Sequence, residues 1–465
     1  MWHMSIFSLF NISSSKQALV LIILIAVITI VDSQFINLFY GTNLGTPGKL
    51  HLLLFVSFVI LASVINTMLL LYAKRLDIQA KTSRALLFGF AYTATSAVQY
   101  AISMILFIMI LEMLIFQEYD KTYLLLVTYF SHLWAAFTLG ILSLTFIQWF
   151  RYTRSVSILI YGVVFSVIIF LILITIPLLT DQFRSQTQLI YPRDYSSLIA
   201  MVISPTRDIA FIYGLGNYVL PLMMVSSWIL TVLLLRPYVQ RIGKKSFWLI
   251  VTIPLLYQLF TFIVRDANLI SDPSLIEVIY SKQFQFLFAI SYQVIGLLFA
   301  TAFLMIGRKT KRKVMRDYLI ISSIGISSLF SSMEPGLPFY AAYPPFGIVT
   351  VFFLGLSSYL LLVGMLGIAA YVSRDSELRR EIHKGLEVDS DMLKTLGMAE
   401  TQREMERRTI PLVDKINLSD EMKYHMDPSE EDVKIMIAEV LKELQSKAPQ
   451  SDQRNGNRGA NEFPN

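Results

Sequence analysis

The chain has 465 residues, 55% hydrophobic and 15% charged, with mean hydropathy +0.59 and formal net charge +6. Soluble domains carry about 25% charged residues, so this composition excludes an ordinary soluble protein, and the absence of cysteine excludes disulfides, thiol catalysis and thiolate metal sites. Residues 1–373 hold 24 Lys/Arg against 13 Asp/Glu and residues 374–465 hold 15 against 20; the positive charge sits in short loops between apolar runs and reads as membrane topology, not as a nucleic-acid surface.

Ten apolar stretches follow in order: 17–38, 50–73, 85–113, 122–149, 156–180, 210–235, 247–264, 285–307, 318–333 and 347–372. Each is read as a helix crossing about 30 Å of hydrocarbon. In the first, Lys16 precedes Ala18–Val31 with no small-x-small cleavage signal before Asp32, which reads as a retained span and not a removed signal peptide. The third is long for one crossing, and tilt accommodates it.

The loops between these stretches sort by charge. Alternate connections carry Lys74, Arg75, Lys81 and Arg84; Arg151 and Arg154; Arg236, Arg241, Lys244 and Lys245; and the run "RKTKRKVMRD" at 308–317. The opposite set is poorer in Lys/Arg although it contains the longest loops. That bias predicts a membrane protein with both termini cytoplasmic.

The ninth stretch is the shortest, sixteen residues, about 24 Å of helix. It is followed by "MEPGLPFYAAYPPFG" at 333–347, whose prolines lack backbone donors and cannot face lipid unpacked. This segment is expected to dip into the outer interface and complete the crossing, as a rigid cap between two helices or as a lid over a ligand. Ser323, Ser327 and Ser331 recur every fourth residue, the spacing of small residues where helix backbones approach closely; the alternative reading is a polar pathway.

After Val372 the composition turns charged. Leu378, Ile382 and Leu386, then Met392, Leu393 and Leu396, mark an amphipathic helix continuing from the last span, with a break near Gly385. "DPSEED" at 427–432 announces a second helix, and 446–465 reads as disordered. The organisation is therefore a transmembrane bundle (1–373), a cytoplasmic amphipathic helical tail (374–445) and a disordered C-terminus (446–465). The fold class is all-α, a polytopic membrane helix bundle of ten transmembrane helices. The bilayer is its first partner; residues 374–445 are expected to bind a cytoplasmic protein, self-associate, lie on the inner membrane surface, or fold back as a hairpin.

Chemistry is sparse. Of five histidines only His132 lies mid-span, and with no second membrane histidine and no HExxH, haem-based electron transfer and zinc proteolysis are disfavoured. Asp32 and Glu112 are acids near the outer ends of spans one and three; a buried acid is costly without a partner, and both are candidates for a polar function or for contact with interfacial water. Arg207–Asp208 and Arg265–Asp266 flank spans six and seven, and with Glu334 they form a candidate ligand pocket beneath the proline segment; helix-end capping is the alternative. "EYD" (Glu118, Asp120) offers only a superficial two-acid metal site in a short loop. No cofactor or metal is expected.

"YPPFG", then "GLSSYLLLVG", then "RDSELRREI" resembles an uncharacterised group of multi-pass membrane proteins from ammonia-oxidising archaea. The resemblance covers 318–400 and implies architecture and a plasma-membrane location; no reaction or functional residue comes with it. Three functions follow from the pattern: a sensor or signalling adaptor whose last helix passes displacement to the tail, a secondary transporter of a small solute, or an accessory subunit of a membrane complex. An enzyme acting on a lipid-linked substrate is disfavoured by the short loops.

Overall fold

In an apolar medium a chain satisfies its backbone amides and carbonyls by local pairing, so long apolar runs become helices. The computed structural model bears this out and describes residues 15–39, 49–80, 85–186, 207–239, 243–266, 282–333, 344–383 and 391–419. Its helices are α1 (Ser15–Phe39), α2 (Lys49–Ala80), α3 (Ala85–Phe116), α4 (Lys121–Thr153), α5 (Val156–Gln186), α6 (Arg207–Leu235), α7 (Lys244–Asp266), α8 (Lys282–Lys309), α9 (Lys313–Ser332), α10 (Ile348–Arg374), α11 (Ser376–His383) and α12 (Asp391–Ser419). Among the described residues six segments are long and apolar enough to cross a membrane: His51–Leu76, Leu87–Phe116, Thr122–Thr153, Val156–Pro177, Tyr218–Leu235 and Ile348–Arg374. Leu53, Phe107, Leu144 and Leu249 stand more than half exposed on α2, α3, α4 and α7, an apolar outer surface suited to lipid.

Two boundaries differ from the sequence reading. Helix α9 begins at Lys313 and has 20 residues, about 30 Å, so it does not need the proline segment to reach full length. Hydropathy stops at a charge, whereas a helix end tolerates Lys313 and Arg316, side chains with long apolar stems. The last span and the tail are also not one continuous rod. Asp375 is extended (φ −90°, ψ 99°) and its carboxylate accepts the Leu378 amide at 2.9 Å, while the Arg379 guanidinium donates to the Ser373 carbonyl at 2.6 Å. One short joint thus ends α10 and caps α11.

Helix α10 is the axis. It packs against α1, α2, α3, α4, α9 and α11, and every residue from Ile348 to Ala370 is buried, as expected of a helix apolar on all faces. Helix α9, buried from Asp317 to Ser332, lies antiparallel beside it at backbone contact. A Cβ on Gly325 would stand 2.9 Å from the Leu361 amide nitrogen, and Cβ atoms on Gly364 and Gly367 would run into Ser322 and the Tyr318 ring. This is the small-residue packing that holds membrane helices together where lipid supplies no hydrophobic drive.

The compact unit runs to Glu400, and Thr401 onward forms a second unit. Within the first, the tail's apolar face is covered: Leu378, Ile382, Met392, Leu393, Leu396 and Ala399 are buried. Leu386, the segment where a second tail helix is expected from Asp427 onward, and residues 446–465 lie outside the described residues.

Gly364→Ala is expected to lower stability by about 1–3 kcal/mol through overpacking. Gly140→Ala, on α4 with nothing within 4 Å of the new Cβ, should be neutral or stabilising by up to about 1 kcal/mol. Reversible unfolding in mixed micelles checks the pair; equal effects at both positions would defeat the close-packing account.

Candidate functional site

A helix with no lipid-facing side must pair each polar group with a neighbour, and those pairings define a seam along α10. At its N-terminus stands Gly347 (φ +98°), a left-handed turn that glycine adopts at little cost. Pro344 to Gly347 are buried. The Phe346 amide donates to the Pro344 carbonyl at 2.8 Å, and the ring packs edge-on against Phe55 (5.8 Å) and Phe58 (6.4 Å) of α2. This end of the proline segment therefore anchors α10 in the bundle.

Asp32 reaches the same point from α1. It is fully buried, and its Oδ2 accepts the Thr350 amide at 3.3 Å and the Thr350 hydroxyl at 3.4 Å. A carboxylate in the first turn of a helix meets free amides and the positive end of the helix dipole. The acid flagged in the sequence thus caps the central helix from outside it.

Further along, the Ser131 hydroxyl of α4 donates to the Val351 carbonyl at 2.5 Å and accepts the Gly355 amide at 3.3 Å. Those two groups are i, i+4 ladder partners in α10, so the hydroxyl sits astride that rung. Gly355 makes room: a Cβ there would be 3.4 Å from the Gln99 amide nitrogen and from the Trp134 ring. Gln99 Oε1 accepts from Asn66 Nδ2 at 2.8 Å, joining α3 to α2, and Trp134 donates to Thr95 at 3.1 Å, joining α4 to α3. The Thr138 and Ser358 hydroxyls are 2.7 Å apart one turn on.

At the other end, the Trp149 indole donates to Glu400 at 2.9 Å and the Tyr161 hydroxyl to the Met392 sulfur at 3.1 Å. Phe146 stacks on Tyr161 and meets Trp149 edge-on, both at 5.2 Å. Gly397 lies against Val372. The first ten residues of α12 are therefore seated on α4, α5 and α10.

The remaining candidates fall elsewhere. Glu112 accepts the Asp120 amide at 3.2 Å and the Tyr123 hydroxyl at 3.1 Å, pinning the α3–α4 turn. Asp120 is the N-cap of α4, accepting from the Thr122 amide (2.9 Å) and hydroxyl (2.8 Å), which hold its carboxyl below the usual range. His132 places Nδ1 2.9 Å from the Thr128 carbonyl; a carbonyl only accepts, so Nδ1 carries the proton. Arg207 and Asp208 open α6, and Arg265 and Asp266 close α7; their side chains, and all of Glu334, lie outside the described residues. Among the described residues no group of three or more His, Asp or Glu converges to hold a metal.

Sequence reasoning singles out Asp32 but misses Thr350, Ser131, Trp149 and Glu400. Asn66 and Gln99 carry a usable signal, amides inside apolar runs; Ser131 and Glu400 carry none. No family model, curated protein or solved structure matches the chain.

Asp120→Ala is expected to cost about 1 kcal/mol at neutral pH, the usual worth of an N-cap. The folded carboxyl titrates below the unfolded value of about 3.9, so this stabilisation is present above that value and lost as pH falls through the lower folded one. Unfolding of wild type and variant across pH should show the gap closing in acid; a gap constant down to the acid limit would remove Asp120 from this role.

Proposed function

We propose that this is a plasma-membrane protein in which α1–α10 all cross the bilayer with both termini in the cytoplasm, and that it acts as a sensor or signalling adaptor. The outward end of the bundle receives the input, and α10 delivers it to the tail. The Lys/Arg bias of alternate loops supports the orientation, and the archaeal resemblance belongs to the same reading. The observation that carries the function is that one helix is gripped at both ends by elements distant in sequence: Asp32 at its first turn, and the α12 segment seated against Val372, Trp149 and Tyr161 at the other.

The Asp375 joint refines how the signal passes. A shift or rotation of α10 moves the Ser373 carbonyl and, through Arg379, the start of α11. Output then lies in whether Asp391–Glu400 stays seated, with the unit from Thr401 onward as the element presented to a cytoplasmic partner or a second copy. Allosteric coupling requires that a change at one site bias the state of the other.

Amide hydrogen exchange on the full-length protein in nanodiscs tests the coupling. Trp149→Phe removes the Glu400 bond and should raise exchange over Leu393–Glu400 directly. Asp32→Ala, at the far end of α10, should raise exchange over the same segment with the bundle still folded. If the Asp32 variant leaves 393–400 at wild-type protection, the two ends are uncoupled and the sensor reading fails.

A further inference from the structure

Helices α2 and α3, joined by the buried Asn66–Gln99 bond at 2.8 Å, also enclose a groove. Its volume is about 460 Å3, within the roughly 300–1,000 Å3 of sites that hold small molecules. Val59 and Ile110 line it and are buried, whereas Ile60, Val64 and Phe107 line it and are exposed. The groove therefore has a floor in the bundle and a rim on the outer surface. Three hydroxyls also line it, and each donates to a carbonyl of its own helix: Ser63 to Val59 (2.8 Å), Thr67 to Ser63 (2.9 Å) and Ser103 to Gln99 (2.8 Å). With every hydroxyl hydrogen spent on backbone, the described wall offers a polar occupant no donor.

Both helices are long and apolar enough to cross a membrane, so the rim opens on hydrocarbon. On α2 the lining runs from Val59 to Leu71, a rise of about 18 Å. One leaflet of hydrocarbon is about 15 Å, half of the bilayer core. The groove thus matches one lipid chain in length.

Its Leu71 end is positively charged. Lys74 and Arg75 follow three and four residues after Leu71, on its side of α2, and both are exposed. At about 100° per residue, Val59, Ser63, Thr67, Leu71 and Lys74 stay within about a third of the helix circumference. The Lys74 ammonium stands 5.0 Å from the centroid of the Tyr92 ring on α3, and Tyr92 falls on the same side of α3 as Ser103 and Ile110. A cation therefore sits at the seam of the two helices that form the groove. Residues 74–84 carry Lys74, Arg75, Lys81 and Arg84 against one acid, Asp77.

We propose that the α2–α3 groove holds one acyl chain of an anionic phospholipid, with the headgroup received by Lys74 and Arg75. The donor-free apolar wall selects hydrocarbon, its length selects a chain of one leaflet, and basic residues at a membrane surface attract anionic headgroups. Binding is read on the bundle with no signal from α12, so its failure and that of the sensor reading are separate results.

Native mass spectrometry of the full-length protein in non-ionic detergent, titrated with dioleoyl phosphatidylglycerol or dioleoyl phosphatidylcholine, tests this. Wild type should take up one phosphatidylglycerol saturably, with about tenfold preference over phosphatidylcholine from the two cations. Val64→Trp and Thr67→Phe each put a ring into the groove and should abolish the adduct, while the melting temperature in lipid-free detergent stays at the wild-type value. Lys74→Gln combined with Arg75→Gln, both at exposed positions, should keep one lipid bound but equalise the two headgroups. Absence of a saturable adduct overturns the proposal, as does an adduct retained in both groove-filling variants. A preference for phosphatidylglycerol that survives loss of both cations overturns it too, and so does a dimer that forms in place of the lipid adduct and is lost in the groove-filling variants.

Discussion

Complete burial of α10 is the constraint on which the rest depends. A membrane helix usually keeps one side on lipid, where any apolar residue serves. With that side gone, each position from Ile348 to Ala370 must match a protein neighbour in size and in hydrogen bonding. Lipid is as apolar as leucine, so association rests on close packing and on polar pairs. Gly364 and Gly367 supply the first against α9, and Ser131, Thr138 and Asp32 supply the second from α4 and α1. The neighbours of α10 are thereby specified, which greasy helices of similar length would not achieve by hydrophobicity.

In the proposed sensor reading the same constraint sets how the two ends would communicate. A helix locked into α9 by backbone contact cannot bend freely, so in that reading displacement at one end would arrive at the other as a shift of the whole rod. The joint at Asp375 then separates two jobs. Arg379 keeps α11 attached to the last carbonyls of α10, while Asp375 starts a new helix whose direction is independent of the old one. The aromatic cluster of Phe146, Trp149 and Tyr161 forms the seat for α12, and it belongs to α4 and α5, not to α10. Relative movement between α10 and those helices is what the seated segment would register.

Legibility in the sequence follows the range of each interaction. The ten apolar stretches match α1–α10 one to one, overrunning only by Met333 and Gly347 at the caps of α9 and α10, because period and hydropathy are local. The beginning of α9 was not legible, since Lys313 and Arg316 end an apolar run without ending a helix. Nor was the joint: Ser373-Arg374-Asp375 carries no proline or glycine, and only the three-dimensional caps reveal the stop. Asp32 and Glu112 stood out as acids in apolar surroundings. The partners of Glu112 are eight and eleven residues away within one turn, whereas Thr350 lies 318 residues from Asp32 and Glu400 lies 251 from Trp149. No spacing encodes such pairs. The serine period on α9 was legible but ambiguous, and the hydroxyl partners divide it: Ser323 is a packing contact to α8, while Ser327 and Ser331 are left over.

That division recurs on both sides of α10. Ser131, Thr138 and the Asn66–Gln99 pair bond across helices on the α4 side, yet Asn66 Oδ1, Gln99 Nε2 and Ser96 Oγ stay unpaired there among the described residues. On α9 the Ser327, Ser328 and Ser331 hydroxyls stay unpaired as well, although Ser322 and Ser332 on the same helix back-bond to Tyr318 and Ser328. An unpaired hydroxyl adds nothing to stability, so what those positions require is small size. The specific pairs are few by comparison, and it is these, from Asp32, Ser131 and Thr138, that select which neighbours α10 takes.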